Sequence, residues 1–380
     1  MKRIGILTIN DYKNYGNRLQ NYAVQEVVKS LGTKPVTIVN TTNISKSNNQ
    51  RSTRYDRVVR MVLSRDFKQL KKLFYHKTNS SQIEKVQKEK IKNFQLFTNQ
   101  HIKETEYSIC LEDIPHDLND NFDYFITGSD QVWNPSFRHF SEIDFLTFAP
   151  SEKRIAYSPS FGVSSIPAEH KENFKKWIDG MSFLSVREDA GAEIIKELTD
   201  RESTVLVDPT MMLNKEHWLN ISKENIYKPE GQYLCTYFLG ETFDLHKKTI
   251  YKIAELKNLE VVNLGSLYDL DRYSVDPSEF LDYIACSALF MTDSFHGAIF
   301  SIIFERPFIV FDRVGKLPSM NSRIDTLLTK FNLIDRKWES VKQSQDYFGA
   351  DFSHTGPIFE YERSKAFNYL KNALNIEDAK

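Results

Sequence analysis

MKRIGILTINDYKNYGNRLQNYAVQEVVKSLGTKPVTIVN, residues 1–40, decides the fold class. The apolar run at 3–8 reads as a strand, the polar loop NDYKNYGN covers 10–17, and Leu19, Tyr22, Ala23 and Val27 recur at helical spacing over 18–31. Gly32 closes that helix and Pro35 begins a second strand through 39, so the chain starts β-α-β. Short apolar runs at 124–127, 154–157, 183–186 and 205–207 each lead into a polar or Gly/Pro loop: GSDQVWNP, SPSFG, REDAG and DPT. A second series has strands at 233–238, 260–264, 288–292 and 308–311, with helices near 244–256, 277–286 and 297–304. Strands alternating with helices predict parallel sheets, hence an α/β protein with two doubly wound units. The polar stretch 214–231, which contains Pro229, is the expected boundary. It gives an N-terminal unit over 1–213, a C-terminal unit over 214–350, and a last segment, 351–380, whose amphipathic part at 361–374 is expected to fold back on the first unit.

The composition agrees with two packed units. The 380 residues are 41% hydrophobic and 27% charged, and 50 Lys and Arg nearly cancel 51 Asp and Glu, so neither disorder nor a nucleic-acid partner is expected. Cys110, Cys235 and Cys286 are far apart and make no C-x-x-C pair, which excludes a disulfide framework and a cysteine-built zinc site. The start has only a short apolar run, and the longest one, near 298–304, ends at Glu305; no signal peptide or transmembrane helix is expected.

One segment breaks the rhythm. Residues 51–77 carry nine basic and two acidic side chains, a net of +7, with Tyr55, Val58, Val59, Val62, Phe67, Leu70 and Phe74 at helical spacing. It opens a basic helical insertion over 51–103. Two readings stay open: an arm whose apolar face packs on the first unit with a solvated basic face, or a contact with an anionic membrane surface.

Ligands of open α/β sheets bind beyond the carboxyl ends of the strands, so the loops carry the chemistry. In Thr292-Asp293-Ser294-Phe295-His296-Gly297, His296 stands at a helix N-terminus whose free N–H groups and dipole favour an anion, and Gly297 is expected to let it approach the backbone. The other reading is a capping Ser294 and a hydrogen-bonded His296. Arg187 follows one strand and Lys316 another; either can hold an anion or make a surface ion pair. Neither G-x-G-x-x-G nor G-x-x-x-x-G-K-[ST] occurs, which weakens a dehydrogenase or an ATPase, and no metal-binding pattern is found.

Several of these segments together resemble the polysaccharide pyruvyl transferase family: IGILTINDYKNYGNRLQNYAVQ, FDYFITGSDQVWNP, SVREDAG, VDPTMML, MTDSFHGAIFSIIFERPFIVF and MNSRIDTLL, in order over about residues 1–335. The resemblance implies a GT-B-like architecture, two Rossmann-like units facing a cleft, and transfer of pyruvate from phosphoenolpyruvate to a sugar as a cyclic ketal. It implies phosphoenolpyruvate as co-substrate, without cofactor or metal, and contact with it through Arg187, Ser294, Phe295, His296, Gly297 and Lys316. The acceptor, a glycan or lipid-linked sugar, falls to the N-terminal unit through Asn14, Tyr15, Gly16, Asn17, Gln20, Ser129, Asp130 and Trp133. His296 is expected to hold the leaving phosphate or deliver a proton, and Asp130 to orient or deprotonate an acceptor hydroxyl, unless it is a turn or cap aspartate. Some family members carry a base two positions before the histidine; Ser294 stands there, so that cation must be absent or come from Arg306, Arg313 or Arg323. A cytoplasmic enzyme, peripheral at the inner membrane face, is the expected setting. The competing readings are a GT-B glycosyltransferase using a nucleotide sugar and a non-catalytic glycan-binding relative.

Overall fold

Strand β1 (Arg3–Leu7) is buried at every position but Arg3, as a strand covered on both faces must be. In the computed structural model, which describes residues 1–41, 78–136, 141–240, 242–313 and 322–377, β1 is the centre of a five-stranded sheet. Helix α1 (Tyr15–Ser30) follows, then β2 (Lys34–Asn40), α2 (Ser80–His101), β3 (Glu104–Ile109), β4 (Tyr124–Thr127) and β5 (Arg154–Ala156). The order is β3-β2-β1-β4-β5, all parallel. Two short strands, β6 (Ser185–Val186) and β7 (Thr204–Val205), pair in parallel with α3 (Asp189–Thr199) between them. The Ala156 N–H donates to the Phe183 carbonyl at 3.0 Å and ties this pair to the edge of the sheet. The basic stretch 51–77 lies outside the described residues.

Helix α4 (Lys215–Ile221) occupies the polar stretch expected to be a plain boundary, because the Asn214 side chain caps it by accepting from the His217 N–H. Beyond it β8 (Tyr233–Tyr237), β9 (Glu260–Leu264), α5 (Pro277–Cys286), β10 (Leu289–Thr292), α6 (Phe295–Ile303) and β11 (Phe308–Val310) form a parallel sheet of order β11-β10-β8-β9. Asp276 and Glu279 close a capping box on α5, with Pro277 in its first turn. A helix over Thr242–Glu255 links β8 to β9, where the pattern at 244–256 places it, and helices α7 (Ser322–Lys330) and α8 (Thr355–Ala373) follow β11. α8 returns to the first sheet: its Tyr369 hydroxyl donates to the Ala156 carbonyl at 2.6 Å and its Lys365 Nζ to the Val205 carbonyl at 3.0 Å.

Helix α1 joins the halves. A surface helix buries one stripe, whereas α1 buries residues around its whole circumference, from Tyr15 to Val28. Its Tyr15 ring stacks on Phe280 of α5 at 4.3 Å, and its Tyr22 packs on Trp218 of α4 at 5.6 Å. This second packing partner explains why the helix begins at Tyr15, three residues earlier than its apolar spacing indicates. Asn14 caps it, and the polar residues of its first turn lie between the two sheets.

Candidate functional site

Four strand ends and the first turn of α1 meet at one place. After β10, the Ser294 side chain caps α6 by accepting from the Gly297 N–H at 3.3 Å, which puts His296 in the first turn. Across from it stands Gly16 of α1, whose Cα faces the imidazole; a Cβ there would meet Nδ1 and Cγ and come within 2.8 Å of the His296 Cβ. On the far side of the ring, Nε2 is 3.5 Å from Asp208 Oδ2, at the loop after β7. That same oxygen accepts from Arg187 Nη1 at 2.7 Å and from the Ser129 hydroxyl at 3.1 Å. Asp130, in the left-handed region at φ 66, stands after β4, 3.7 Å from Arg187 Nη2, and accepts from the Asn17 side chain at 3.2 Å. Residues from both halves thus converge: Gly16, Asn17, Ser129, Asp130, Arg187 and Asp208 from one, His296 from the other.

The Phe295 ring carries two guanidinium groups. Arg187 Cζ lies 4.5 Å from its centroid and Arg323 Cζ, from α7, 5.4 Å. The Gln131 amide, with its oxygen toward Arg323, accepts from Nη1 and Nη2 at 3.1 and 3.0 Å. Arg313 is held by Asp293, donating to its carbonyl at 3.1 Å.

The charges are unevenly balanced. Burial opposes ionisation of Asp208, yet His296 and Arg187 hold its carboxyl well below the usual range. Burial likewise opposes the charge on Asp130, and Arg187, His296 and Arg323 outweigh it. Arg187 is raised despite its burial because Asp208, Asp130 and Glu188 surround it. Arg323 goes the other way: burial, then repulsion from Arg187, push it down to about 9. Nε and Nη2 of Arg187, Nε2 of His296 and Nε of Arg323 are buried and, among the described residues, have no hydrogen-bond partner. A buried donor without a hydrogen bond costs about 1–3 kcal/mol, so an acceptor placed among these groups would be favoured, even though His296 Nε2 and Arg187 Nη2 already lie within 4 Å of carboxylates.

Other candidate residues have other places. Trp133 is not at the site: its ring stacks on Phe145 at 4.9 Å in the hydrophobic core and its indole donates to the Asp144 carbonyl. Gln20 turns inward to donate to Thr8 Oγ1, Tyr15 faces Phe280, and Asn14 is the helix cap. Gly297 does not clear space for an anion; a Cβ there would meet Phe290 and Thr292 at 2.8 and 3.0 Å, so its smallness serves packing of α6 on β10. Of the three arginines considered in place of a cation at Ser294, Arg323 shares the Phe295 ring with Arg187, whereas Arg306 follows the far end of α6. Lys316 lies outside the described residues. Asp208 escaped the sequence reading, although the DPT loop holding it follows a strand and was a signal for it. Among the described residues no cluster of three His, Cys, Asp or Glu is placed to hold a metal ion, and no helix is long and apolar enough to cross a membrane.

The polysaccharide pyruvyl transferase family model matches residues 14–313. No curated protein matches the sequence. Among solved structures, the chain is similar to a protein of Listeria monocytogenes described as a UDP-N-acetylglucosamine 2-epimerase, with 11% identity, TM-score 0.52, and 99% of this chain and 97% of that one covered. It is also similar to MnaA of S. aureus, solved with UDP, with 12% identity, TM-score 0.51, and 100% and 99% covered. At such identity the likeness bears on the fold alone, and that fold is GT-B: two doubly wound α/β units facing a cleft.

Proposed function

The chain belongs to the polysaccharide pyruvyl transferase family, and from that premise we propose that it moves the pyruvyl group of phosphoenolpyruvate onto a glycan as a cyclic ketal. The observation that carries this reading is the convergence of Arg187 and His296, from opposite halves, on one buried carboxylate while donors on both remain unpaired. Phosphoenolpyruvate brings a phosphate and a carboxylate, and its phosphate is assigned to Arg187 and His296.

In the reaction the enol carbon takes a proton and a sugar hydroxyl bonds to the adjacent carbon. Its bond to the phosphate oxygen breaks, and a second hydroxyl closes the ketal. Of the two hydroxyl protons, one ends on the new methyl group and the other on the released phosphate. His296, within reach of the departing phosphate, holds it or moves that proton, since an imidazole can serve as hydrogen-bond donor, acid or base. Asp130, kept ionised by Arg187, His296 and Arg323 despite burial, is the acceptor-side carboxylate that orients or deprotonates the attacking hydroxyl. Asn17, in the first turn of α1, donates to Asp130 at 3.2 Å, and Gly16 beside it faces His296. A lipid-linked glycan at the cytoplasmic membrane face is the proposed acceptor, with the basic stretch 51–77 as the hold on anionic lipid.

The test mixes the protein with phosphoenolpyruvate and a panel of glycans and lipid-linked sugars, and follows phosphate release with incorporation of carbon label into the glycan. Equimolar release and incorporation is expected. Transfer of a sugar from a nucleotide sugar, with phosphoenolpyruvate inert, would turn the assignment to a glycosyltransferase.

A further inference from the structure

We propose that Arg323 is the guanidinium that recognises the carboxylate of the donor, so that the site reads phosphate and carboxylate with two separate cations. The inference rests on the phosphoenolpyruvate reading above and adds a specificity-determining residue to it. Arg323 belongs to the C-terminal half but is carried to the N-terminal one, because α7 abuts α3: the Thr326 hydroxyl donates to Asp189 Oδ2 at 3.2 Å. From there its side chain reaches Gln131 in the loop after β4 and the face of Phe295.

The two arginines on Phe295 are not equivalent. Arg187 has carboxylates beside it, with Nη1 on Asp208 at 2.7 Å and Nη2 3.7 Å from Asp130, while its Nε and Nη2 keep no hydrogen-bond partner among the described residues. Arg323 is as deeply buried, at 5% exposure, and makes no ion pair among the described residues. A guanidinium has five N–H donors, and the Gln131 oxygen takes two, so the rest of the fork remains for a ligand. Burial and then Arg187 disfavour its charge more than Glu188 and Asp130 favour it, so an anion in direct contact with the fork would add further stabilisation. The phosphate ester oxygen and the carboxylate of phosphoenolpyruvate sit on the same carbon, so neighbouring cations must take them. Through the shared ring, the two Cζ atoms are no more than about 10 Å apart. A planar fork matches a carboxylate, while Arg187 with His296 suits the phosphate.

Titration calorimetry on the full chain with phosphoenolpyruvate and, separately, inorganic phosphate tests this. Arg323→Gln is expected to weaken phosphoenolpyruvate by about tenfold or more while inorganic phosphate stays within about twofold. Unchanged phosphoenolpyruvate affinity in the variant, or equal loss for both ligands, overturns the assignment. If Arg323→Gln does not fold, Arg323→Lys, which keeps the charge and loses the fork, carries the test. Its preference for phosphoenolpyruvate over phosphate should fall by about threefold or more, and an unchanged preference overturns the proposal. A wild type that shows no preference for phosphoenolpyruvate sinks the donor reading itself, an outcome seen without any variant.

Discussion

Gly16→Ala separates positioning of His296 from stability of the fold. Gly16 is the second residue of α1, so alanine suits its backbone and would by itself favour the helix by up to about 1 kcal/mol. Against that gain, the methyl group overlaps Nδ1 and Cγ of His296 and lies 2.8 Å from its Cβ. The imidazole must withdraw by roughly 1 Å, and overpacking of this kind costs about 1–3 kcal/mol. Its retreat is limited, since Nε2 is already 3.5 Å from the Asp208 carboxylate, which Arg187, Ser129 and Thr210 hold in place. The two contributions nearly offset in stability, leaving a net loss of about 0–2 kcal/mol, whereas a 1 Å misplacement of a reacting group costs on the order of a hundredfold in rate. The assay pairs a thermal melt with pyruvyl transfer. A melting temperature lowered by a few degrees with transfer down about a hundredfold is expected. Transfer within twofold of wild type would refute the reasoning, because His296 would then not need the place that Gly16 leaves for it.

Two further substitutions test the electrostatics. Asp208→Asn should destabilise the fold by about 3–5 kcal/mol in chemical denaturation, since it leaves Arg187 buried without its main counter-charge. Because the folded pKa of Asp208 is depressed, its contribution is present above the unfolded carboxylate value of about 3.9 and is lost as pH falls through the folded value. The gap between wild type and variant should therefore persist down to about pH 4; a gap that closes near neutrality contradicts the assignment. Lys90 is buried among Tyr15, Phe94 and Tyr273, and burial pushes it down to about 8. The unfolded chain thus binds the extra proton between about pH 8 and 10.4, and wild-type stability should rise with pH there. Lys90→Met should be more stable than wild type at pH 7, by about 1–3 kcal/mol, and lose that advantage by about pH 10.5. A variant less stable than wild type at pH 7 would show that the ring contacts outweigh desolvation.

The strands were legible because most are covered on both faces and read as apolar runs; β4, β9 and α5 fall where their patterns place them. The start of α1 was not, since Tyr15, Gly16 and Asn17 are polar or small in a stretch that reads as loop until the second half is packed against it. His296, Arg187 and Asp130 could be found by looking at strand ends. In sequence Arg323 is only one of three arginines that could stand in for a cation at Ser294; its helical spacing does not set it apart from them, and the docking of α7 on α3 is what buries it. Trp133, placed on the acceptor side by the family resemblance, instead fills the space between Phe145 and Phe161.

The most direct test of the central claim is thermal stabilisation of the wild type by phosphoenolpyruvate, set beside UDP-N-acetylglucosamine and other nucleotide sugars, with His296→Ala and Arg187→Ala as controls. Phosphoenolpyruvate at a hundredfold excess over its Kd should add about 2.7 kcal/mol of stability to the wild type and much less to either variant, with nucleotide sugars without effect. Stabilisation by a nucleotide sugar alone, or equal stabilisation of wild type and both variants by phosphoenolpyruvate, would contradict a phosphoenolpyruvate site at Arg187 and His296.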